Sequence, residues 1–398
     1  MALDLARLRA ETPGIDRVLH FNHAGGSLPP APVLDAVLAH LQREAVSGPI
    51  EAGIAATPAL EEARAQAAAL VGAQPREIAF TGNATQGWGL AFAALASSGR
   101  GLKAGDRILV GRQEWGGNLT TMQQAAARTG AAIEVIPCDD TGRVSATALA
   151  GMIDDRVRLV SLTWIGANGG LINPAAEIGR VARAAGVPFF LDASQAIGQL
   201  PVDVAALGCD VLSAPGRKHL RGPRGTGLLY VREGFLGRLD PPYHDARTAA
   251  WQPDGPPRLL GSTLRFEAGD FPMALRLGLG AAIAYARAIG IDAVRTRLDG
   301  LAQGLRARLA AIPGVTVHDL GVDRAALVSF AVDGVDAATL RQRLAAQGIT
   351  ISVNGVMYTP LDMTARGLGD ICRAAVSYLH TEAELDRLAD AVASASGR

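Results

Sequence analysis

The chain has 398 residues, of which 49% are apolar and 19% are charged, and its 38 basic residues balance its 38 acidic ones. A neutral chain without a basic stripe is a poor candidate for binding nucleic acid or an anionic membrane. No apolar run reaches the roughly 18 residues that span a bilayer, residues 1–17 do not resemble a signal peptide, and three widely spaced cysteines fit no metal-binding pattern. The sequence therefore predicts a soluble cytoplasmic enzyme of two or three domains, without a metal site.

Helical and strand patterns alternate along the first half of the chain. Helices are predicted over 58–71, 85–96 and 177–185, and strands over 77–81, 107–110, 131–136, 157–162 and 187–191. Strands separated by helices of this length are typical of βαβ units in a mostly parallel sheet. Ligands bind such sheets at the carboxyl ends of the strands. Since Thr81, Asp192 and the turn before Lys218 all follow predicted strands, we expect them to converge.

The pattern changes after Pro241. Residues 241–261 hold five prolines and little periodicity, which predicts a long ordered loop. Beyond it, helices are predicted over 274–288 and 291–312, and strands over 315–318, 327–332, 349–353 and 373–378. This tail indicates a smaller α+β domain. The predicted division is a large domain over 18–275 and a small domain formed by 1–17 and 276–398.

Only two of the basic residues are lysines, Lys103 and Lys218. Arginine replaces lysine in most ion pairs, but its guanidinium does not deprotonate to an amine nucleophile. Lys103 lies in a predicted turn, whereas Lys218 lies in the glycine-rich run 216–227 after a predicted strand. Lys218 is therefore the candidate Schiff-base lysine, and a codon bias that left two lysines behind is the alternative.

Asp192 directly follows the apolar run 187–191. A carboxylate at that depth needs a cationic partner, and a protonated pyridine nitrogen is one. A cap of the next helix is an equally consistent interpretation. An aspartate at one strand end and a lysine just past a neighbouring strand is the arrangement that pyridoxal phosphate requires.

Three further positions are consistent with the same cofactor. Residues 82–85 lie between a predicted strand and a predicted helix, where backbone amides and the Thr85 hydroxyl would hold a phosphate, or where Thr85 is an ordinary cap. Arg217, beside the lysine, would add a charge-assisted contact to that phosphate. Trp115 follows a strand and would stack on a flat ring, or else would lie in the core.

Three segments, 191–198 (LDASQAIG), 201–204 (PVDV) and 216–231, have a joint spacing that resembles the class V aminotransferase family of fold type I pyridoxal-phosphate enzymes, which includes cysteine desulfurases. Segments 167–174 and 216–218 are similar to the branch that contains isopenicillin N epimerase-like proteins and ergothioneine-pathway carbon–sulfur lyases. The resemblance spans nearly the whole chain. It implies an α/β, aspartate aminotransferase-like fold with a large, mostly parallel-sheet domain and a smaller α+β C-terminal domain, and a homodimer with sites near the subunit interface.

The resemblance also implies residue roles for binding pyridoxal 5'-phosphate and an amino-acid substrate. Lys218 would bind the cofactor covalently and move protons, and Asp192 would pair with the pyridine nitrogen. It implies that Gln195 contacts the phenolic oxygen, that the Ala84 amide and Thr85 hold the phosphate, that Trp115 covers the ring and that Asn168 lines the pocket. Arg373 would clamp the substrate carboxylate with a bidentate pair, and Asn22 and His23 would also contact the substrate.

The chain departs from the family pattern at the position of a catalytic thiol. Desulfurases carry a persulfide-forming cysteine on a mobile loop, whereas residues 354–360 (NGVMYTP) contain none, and a thiolate is indispensable to that chemistry. Desulfurase activity is therefore disfavoured. The expected reaction is β-elimination that breaks a carbon–sulfur bond in a cysteine-derived substrate, with transamination and epimerisation as alternatives. A catalytically silent cofactor-binding module is a hypothesis of another class, against which Lys218 and Asp192 argue.

Overall fold

The computed structural model describes residues 3–99 and 101–395. Its α-helices are α1 Leu5–Ala10, α2 Ala31–Ser47, α3 Pro49–Val71, α4 Ala84–Ser97, α5 Gly116–Thr129, α6 Ala146–Met152, α7 Ala175–Ala184, α8 Val204–Leu207, α9 Met273–Ile289, α10 Ile291–Ala310, α11 Ala337–Ala345, α12 Pro360–Ala365 and α13 Glu382–Ala395. Its strands are β1 Leu19–His20, β2 Ile78–Thr81, β3 Arg107–Val110, β4 Ala132–Val135, β5 Val157–Thr163, β6 Phe189–Asp192, β7 Val211–Pro215, β8 Gly227–Val231, β9 Ala249–Ala250, β10 Arg258–Leu259, β11 Val315–Val317, β12 Leu327–Val332, β13 Ile349–Thr350, β14 Ser352–Asn354 and β15 Ile371–Ala375.

A seven-stranded sheet in the order β2-β8-β7-β6-β5-β3-β4 forms the centre of the molecule. Strand β8 runs antiparallel to its neighbours β2 and β7, and the other adjacent pairs are parallel. Helices cover both faces, so strands such as β6 are buried along their whole length. The C-terminal part carries a separate antiparallel sheet in the order β11-β12-β15-β14. The predicted α/β class, with a mostly parallel sheet and a smaller α+β C-terminal domain, is confirmed.

The strand register brings the carboxyl ends of β5, β6 and β7 to one edge of the central sheet. Thr163 is the Cα partner of Asp192, and Asp192 is the partner of Ser213. Beside them, Gly227 at the start of β8 is the partner of both Thr81 and Pro215. A Cβ at position 227 would lie 2.8 Å from the Asn83 carbonyl carbon, so only glycine allows the approach.

Helices α2 and α3 differ most from the sequence-based expectation. The sequence did not predict α2, and α3 begins at Pro49, so Pro58 lies inside it rather than at its start. A proline inside a helix costs about 3 kcal/mol, and burial of the α3 side chains Ala56, Leu60 and Ala63 against α2 and α9 offsets that cost. The predicted strand over 349–353 is instead two strands in different sheets, because β13 pairs with β1 whereas β14 pairs with β15.

Hydrophobic residues form cores on each face of the central sheet and a third core in the C-terminal part. Leu8 of α1 and Phe21 pack into that third core, together with residues of α10, α13 and the antiparallel sheet. The predicted boundary between 275 and 276 falls inside α9, which packs on α2 and α3. The division into 18–275 and 1–17 with 276–398 stays a prediction.

Within 241–261, the predicted loop contains a small hairpin, because β10 pairs antiparallel with β9. Among the described residues no single helix is long and apolar enough to cross a membrane. Helices α9 and α10 meet that criterion only as a pair, by length and composition, and they are bent by 79° relative to each other.

Candidate active site

A cavity of about 500 Å³ opens at the carboxyl ends of the central strands. Seven of the residues that the sequence predicted for the site line this cavity: Ala84, Thr85, Trp115, Asp192, Gln195, Arg217 and Lys218. The lining also includes Gly82, Asn83, Thr163, Ile165, Ala167, Ser194, Pro215, Arg224, Gly225 and Thr226. The expected convergence of strand ends is therefore observed.

Asp192 is buried at the end of β6. Its Oδ1 accepts a hydrogen bond from the Ser194 backbone N–H at 2.9 Å, and its Oδ2 accepts one from Asn118 Nδ2 at 2.9 Å. The residues that follow form turns rather than an α-helix, so Asp192 is not the cap of a helix. Two N–H donors therefore hold its two carboxyl oxygens in place at the cavity wall.

Lys218 lies in the turn after β7, with its side chain partly exposed to the cavity. Burial lowers the pKa of its ammonium to about 7, the charges of Arg217 and Arg373 lower it as well, and Asp192 raises it. An amine with that pKa is half neutral near pH 7, which is the form that attacks a carbonyl or accepts a proton. Lys103, in contrast, is exposed in the turn before β3.

The cavity lining also carries positive charge. Ala84 and Thr85 form the first turn of α4, where backbone N–H groups lack partners within the helix. The side chain of Asn83 caps this helix by accepting a hydrogen bond from the Gln86 N–H. Arg217 and Arg224 lie on the same cavity, and burial lowers the pKa of Arg217, with the Arg224 charge adding to that effect. A helix N-terminus and two guanidinium groups together make an anion site.

The remaining lining residues add a flat surface and an unsatisfied acceptor. Trp115 precedes α5, and its ring centroid lies 5.6 Å from that of Tyr358. Gln195 donates from Nε2 to the Ala24 carbonyl at 3.1 Å, while its buried Oε1 has no partner among the described residues. An acceptor oxygen without a partner inside a cavity is free for a ligand donor.

Four predicted site residues lie outside the lining. Asn168 donates to the Gly355 carbonyl at 3.0 Å, and Arg373 donates from Nη1 to the Ala167 carbonyl at 2.6 Å. His23 contacts the Ser27 hydroxyl and packs beside two other histidines, and Asn22 lines an adjacent cavity that shares Arg217. The substrate-binding roles of these residues stay predictions.

Four residues at or beside the cavity were not predicted from the sequence: Asn118, Thr163, Arg224 and Tyr358. Thr163 had a usable signal, because it is a polar residue at the end of a buried and largely apolar strand. Asn118 had no such signal, because α5 carries several other polar residues. Arg224 stands six positions after Lys218 in the same glycine-rich run, so its side chain had a comparable signal. Tyr358 comes from the C-terminal part of the chain, and no local pattern connects it with Trp115.

The residues present fit pyridoxal phosphate. An anion site, an aromatic ring, an unpaired acceptor, the Asp192 carboxyl group and one lysine amine line a single cavity. The anion site matches the cofactor phosphate, the aromatic ring matches the ring face, and the unpaired acceptor matches the phenolic group. The carboxyl group matches the pyridine nitrogen, and the lysine amine matches the aldehyde.

Comparisons with known proteins agree with this chemistry. Residues 19–388 match the model of the family described as "Aminotransferase class-V". A probable cysteine desulfurase of Halobacterium salinarum is 32% identical, over 98% of this chain and 96% of its own length. The apo structure of a cysteine desulfurase from Thermococcus onnurineus NA1 is 26% identical, with a TM-score of 0.89 over 99% of this chain and 98% of that one.

A further solved structure is a complex between the cystine C–S lyase C-DES and its reaction product, cysteine persulfide. It is 27% identical, with a TM-score of 0.85 over 96% of this chain and 99% of that one. The absence of a cysteine from residues 354–360 does not disfavour desulfurase activity, because relatives that match over nearly their full length bear that name. The matched family, the fold and the cavity agree: the chain belongs to the class-V aminotransferase family of pyridoxal-phosphate-dependent, fold type I enzymes.

Proposed function

We propose that this protein is a carbon–sulfur lyase that catalyses β-elimination on a cysteine-derived amino acid. The observation that carries the proposal is that Lys218, with its lowered pKa, and the Asp192 carboxyl group line one cavity. The cystine C–S lyase with the same fold supports the reaction class. When bound, pyridoxal phosphate withdraws electrons from the substrate Cα, so that the Cα proton becomes acidic.

In this proposal the residues of the chain hold the cofactor and move the proton. Ala84, Thr85 and Arg217 bind the phosphate, and Asp192 keeps the pyridine nitrogen protonated. Lys218 Nζ takes the proton from Cα. The Cβ–S bond then breaks, and sulfur leaves with the bonding electrons as a thiolate or persulfide. Hydrolysis of the released aminoacrylate gives pyruvate and ammonia.

Arg373 is the proposed partner of the substrate carboxylate. Its guanidinium is buried, and its Nε has no partner among the described residues. Burial lowers the pKa of Arg373 to about 10, which still leaves it charged at neutral pH. A buried cation with a free donor gains from an anionic ligand, since the ligand replaces the water that burial removed.

Cysteine desulfurase is the second candidate function, because relatives that match over nearly their full length are named cysteine desulfurases. The two functions differ in the group that accepts the sulfur atom. All three cysteines lie within the described residues, and none of them lines the cavity. Cys372 is buried in the C-terminal core, its thiol contacts the Ala337 carbonyl, and burial raises its pKa to about 12. Cys209 is fully buried against the central sheet. This arrangement supports release of sulfur to a small molecule.

Product analysis tests the proposal. The protein loaded with pyridoxal phosphate is incubated with cystine, cysteine or an S-alkyl cysteine, with and without a 2-oxo acid. A lyase releases pyruvate and ammonia in equal amounts without the 2-oxo acid, and the variant Cys372→Ser retains turnover within a few-fold. Alanine formation that Cys372→Ser abolishes would establish a desulfurase instead, and product that requires the 2-oxo acid would establish a transaminase.

We also propose that the protein is a homodimer, through a surface named here the α2–α3 apolar face. Its residues are Leu34, Leu38, Leu41, Ile50 and Ile54, which are 44%, 45%, 47%, 65% and 70% exposed. The three leucines recur at helical spacing on one side of α2. Leu34 also lines the adjacent cavity together with Arg217 and Arg224, so a second subunit bound there would lie beside the active site. Contiguous exposed apolar surface of this kind is typical of association sites.

A further inference from the structure

A second carboxylate lies behind Asp192, outside the cavity lining. Glu114 is completely buried just before α5. Its side chain reaches the Asn118 amide, whose nitrogen donates to Glu114 Oε1 at 3.0 Å and to Asp192 Oδ2 at 2.9 Å. One amide therefore uses both of its hydrogens to join two carboxylates.

The remaining contacts of Glu114 come from β5 and from the backbone. Ser161 Oγ donates to Oε2 at 2.9 Å, Thr163 Oγ1 donates to Oε1 at 2.9 Å, and the Trp115 N–H is 3.1 Å from Oε1. These contacts do not require a charge. In a glutamine at this position the Oε1 would accept the same bonds and the Nε2 would donate to Ser161 Oγ, whose lone pairs are free to accept. A carboxylate costs more to bury than a neutral amide of the same shape, so its charge is the property that distinguishes Glu114 from a glutamine at this position.

We propose that Glu114 is a positioning residue for the cofactor: through the shared Asn118 amide it fixes the orientation of the Asp192 carboxylate and adds a second negative charge behind it. This inference rests on the proposed function only in taking Asp192 as the partner of the pyridine nitrogen. The pair of carboxylates, rather than Asp192 alone, then sets how strongly the ring nitrogen holds its proton.

The groups that face Glu114 determine when the second charge is present. Asp192 is the charged group on β6, Ser161 and Thr163 are the polar groups on β5, and Asn118 is the polar group on α5; Lys218 in turn faces Asp192. Burial, together with the charge of Asp192, raises the pKa of Glu114 to about 7, against the hydrogen bonds that lower it. Glu114 is therefore mainly neutral below pH 7 and ionised above it. Above that pH its charge opposes loss of the ring-nitrogen proton.

The test follows the ring nitrogen directly. The protein is loaded with pyridoxal phosphate labelled with ¹⁵N in the ring, and the nitrogen chemical shift is measured against pH. Glu114→Gln keeps the hydrogen bonds and removes the charge, so the midpoint of ring-nitrogen deprotonation moves down by about one pH unit, the size of shift that a nearby charge produces. Ser161→Ala removes a hydrogen bond that stabilises ionised Glu114. In this variant the midpoint of ring-nitrogen deprotonation therefore also moves down, but by less than in Glu114→Gln.

Two controls separate this inference from the proposed function. Ser329→Ala removes a serine hydroxyl that donates to the buried Asp319 in the C-terminal part, and it leaves the midpoint unchanged. Asp192→Asn removes the direct partner and deprotonates the ring at neutral pH. A titration of Glu114→Gln and Ser161→Ala that matches the parent, while Asp192→Asn responds, overturns the role of Glu114 alone. No response to Asp192→Asn overturns the assignment of Asp192. If Glu114→Gln does not fold, Ser161→Ala decides the question.

Discussion

Two residues of the site stand out in the sequence because each is chemically isolated. Lys218 is one of two lysines, and Asp192 is a carboxylate directly after an apolar strand. Glu114 was not predicted because the residues that contact it, Ser161 and Thr163, lie on β5, far from Glu114 along the chain. Ser161 and Thr163 are two positions apart in β5, so both face the same side of the sheet. That polar pair in an apolar strand was a usable signal for a buried polar partner, but the sequence does not identify which residue it faces.

The pKa of Lys218 leads to a prediction at the residue scale. Protein stripped of cofactor should capture pyridoxal phosphate covalently at a rate that rises as pH increases through about 7, because the neutral amine reacts and burial lowers the Lys218 pKa to about 7. Borohydride reduction followed by peptide mapping should find the label on Lys218. The variant Lys218→Ala should lose the label and all turnover.

Lys103→Ala is the matched control, since Lys103 is the other lysine of the chain and is exposed outside the cavity. It should capture cofactor at the parental rate with the parental pH dependence. A label on Lys103 in the parent protein, or capture that rises only near pH 10, would contradict the assignment of Lys218.

At the scale of elements, the sequence predicted strands β2 to β6 of the central sheet within a few residues, because each is a short apolar run bounded by turns. Strand β8 was not predicted. Helix α2 was not predicted because apolar residues lie on two of its sides. Val33 packs inward while Leu34 and Leu38 are exposed, so the apolar residues do not follow the spacing of a single helical face. The strand over 349–353 was predicted as one because its alternation is continuous. Its division between two sheets depends on β1 and β15, which local sequence does not contain.

A buried ion-pair cluster joins the segment before α9 to helix α3 and strand β2. Glu267 accepts hydrogen bonds from Arg64 and Arg276, and from the Phe80 N–H at 2.8 Å. Glu267→Ala removes the buried carboxylate partner of two buried guanidinium groups, and we expect it to lower the free energy of unfolding by about 3–5 kcal/mol. Urea unfolding of the cofactor-free protein measures this.

Glu61→Ala is the control for the same cluster, because Glu61 also pairs with Arg64, at 3.6 Å, but is 57% exposed. Solvent-exposed pairs contribute about 0–1 kcal/mol, so this variant should unfold close to the parent. Equal losses in the two variants would show that burial does not govern the contribution of the cluster.

At the scale of the whole molecule, the α2–α3 apolar face predicts self-association. Light scattering of the parent protein should give twice the 41.1 kDa chain mass. Leu38→Glu should give a monomer or a dimer weakened at least about tenfold, since a two-fold interface buries the substituted residue twice. Val322→Glu is the control, because Val322 is 79% exposed on the C-terminal part, away from that face. A monomeric parent, or a Leu38→Glu dimer as stable as the parent, would contradict the proposed interface.

The position of β8 between β2 and β7 has a consequence for biosynthesis. Thr81, next to the predicted phosphate site, has Gly227 as its partner, and these two positions are far apart along the chain. During translation β2 leaves the ribosome long before its sheet neighbour, and its edge stays unpaired until residues 227–231 emerge. The newly made chain can therefore retain its cofactor only after most of the central sheet has been synthesised. Until then the unpaired edge of β2 exposes the chain to misassembly.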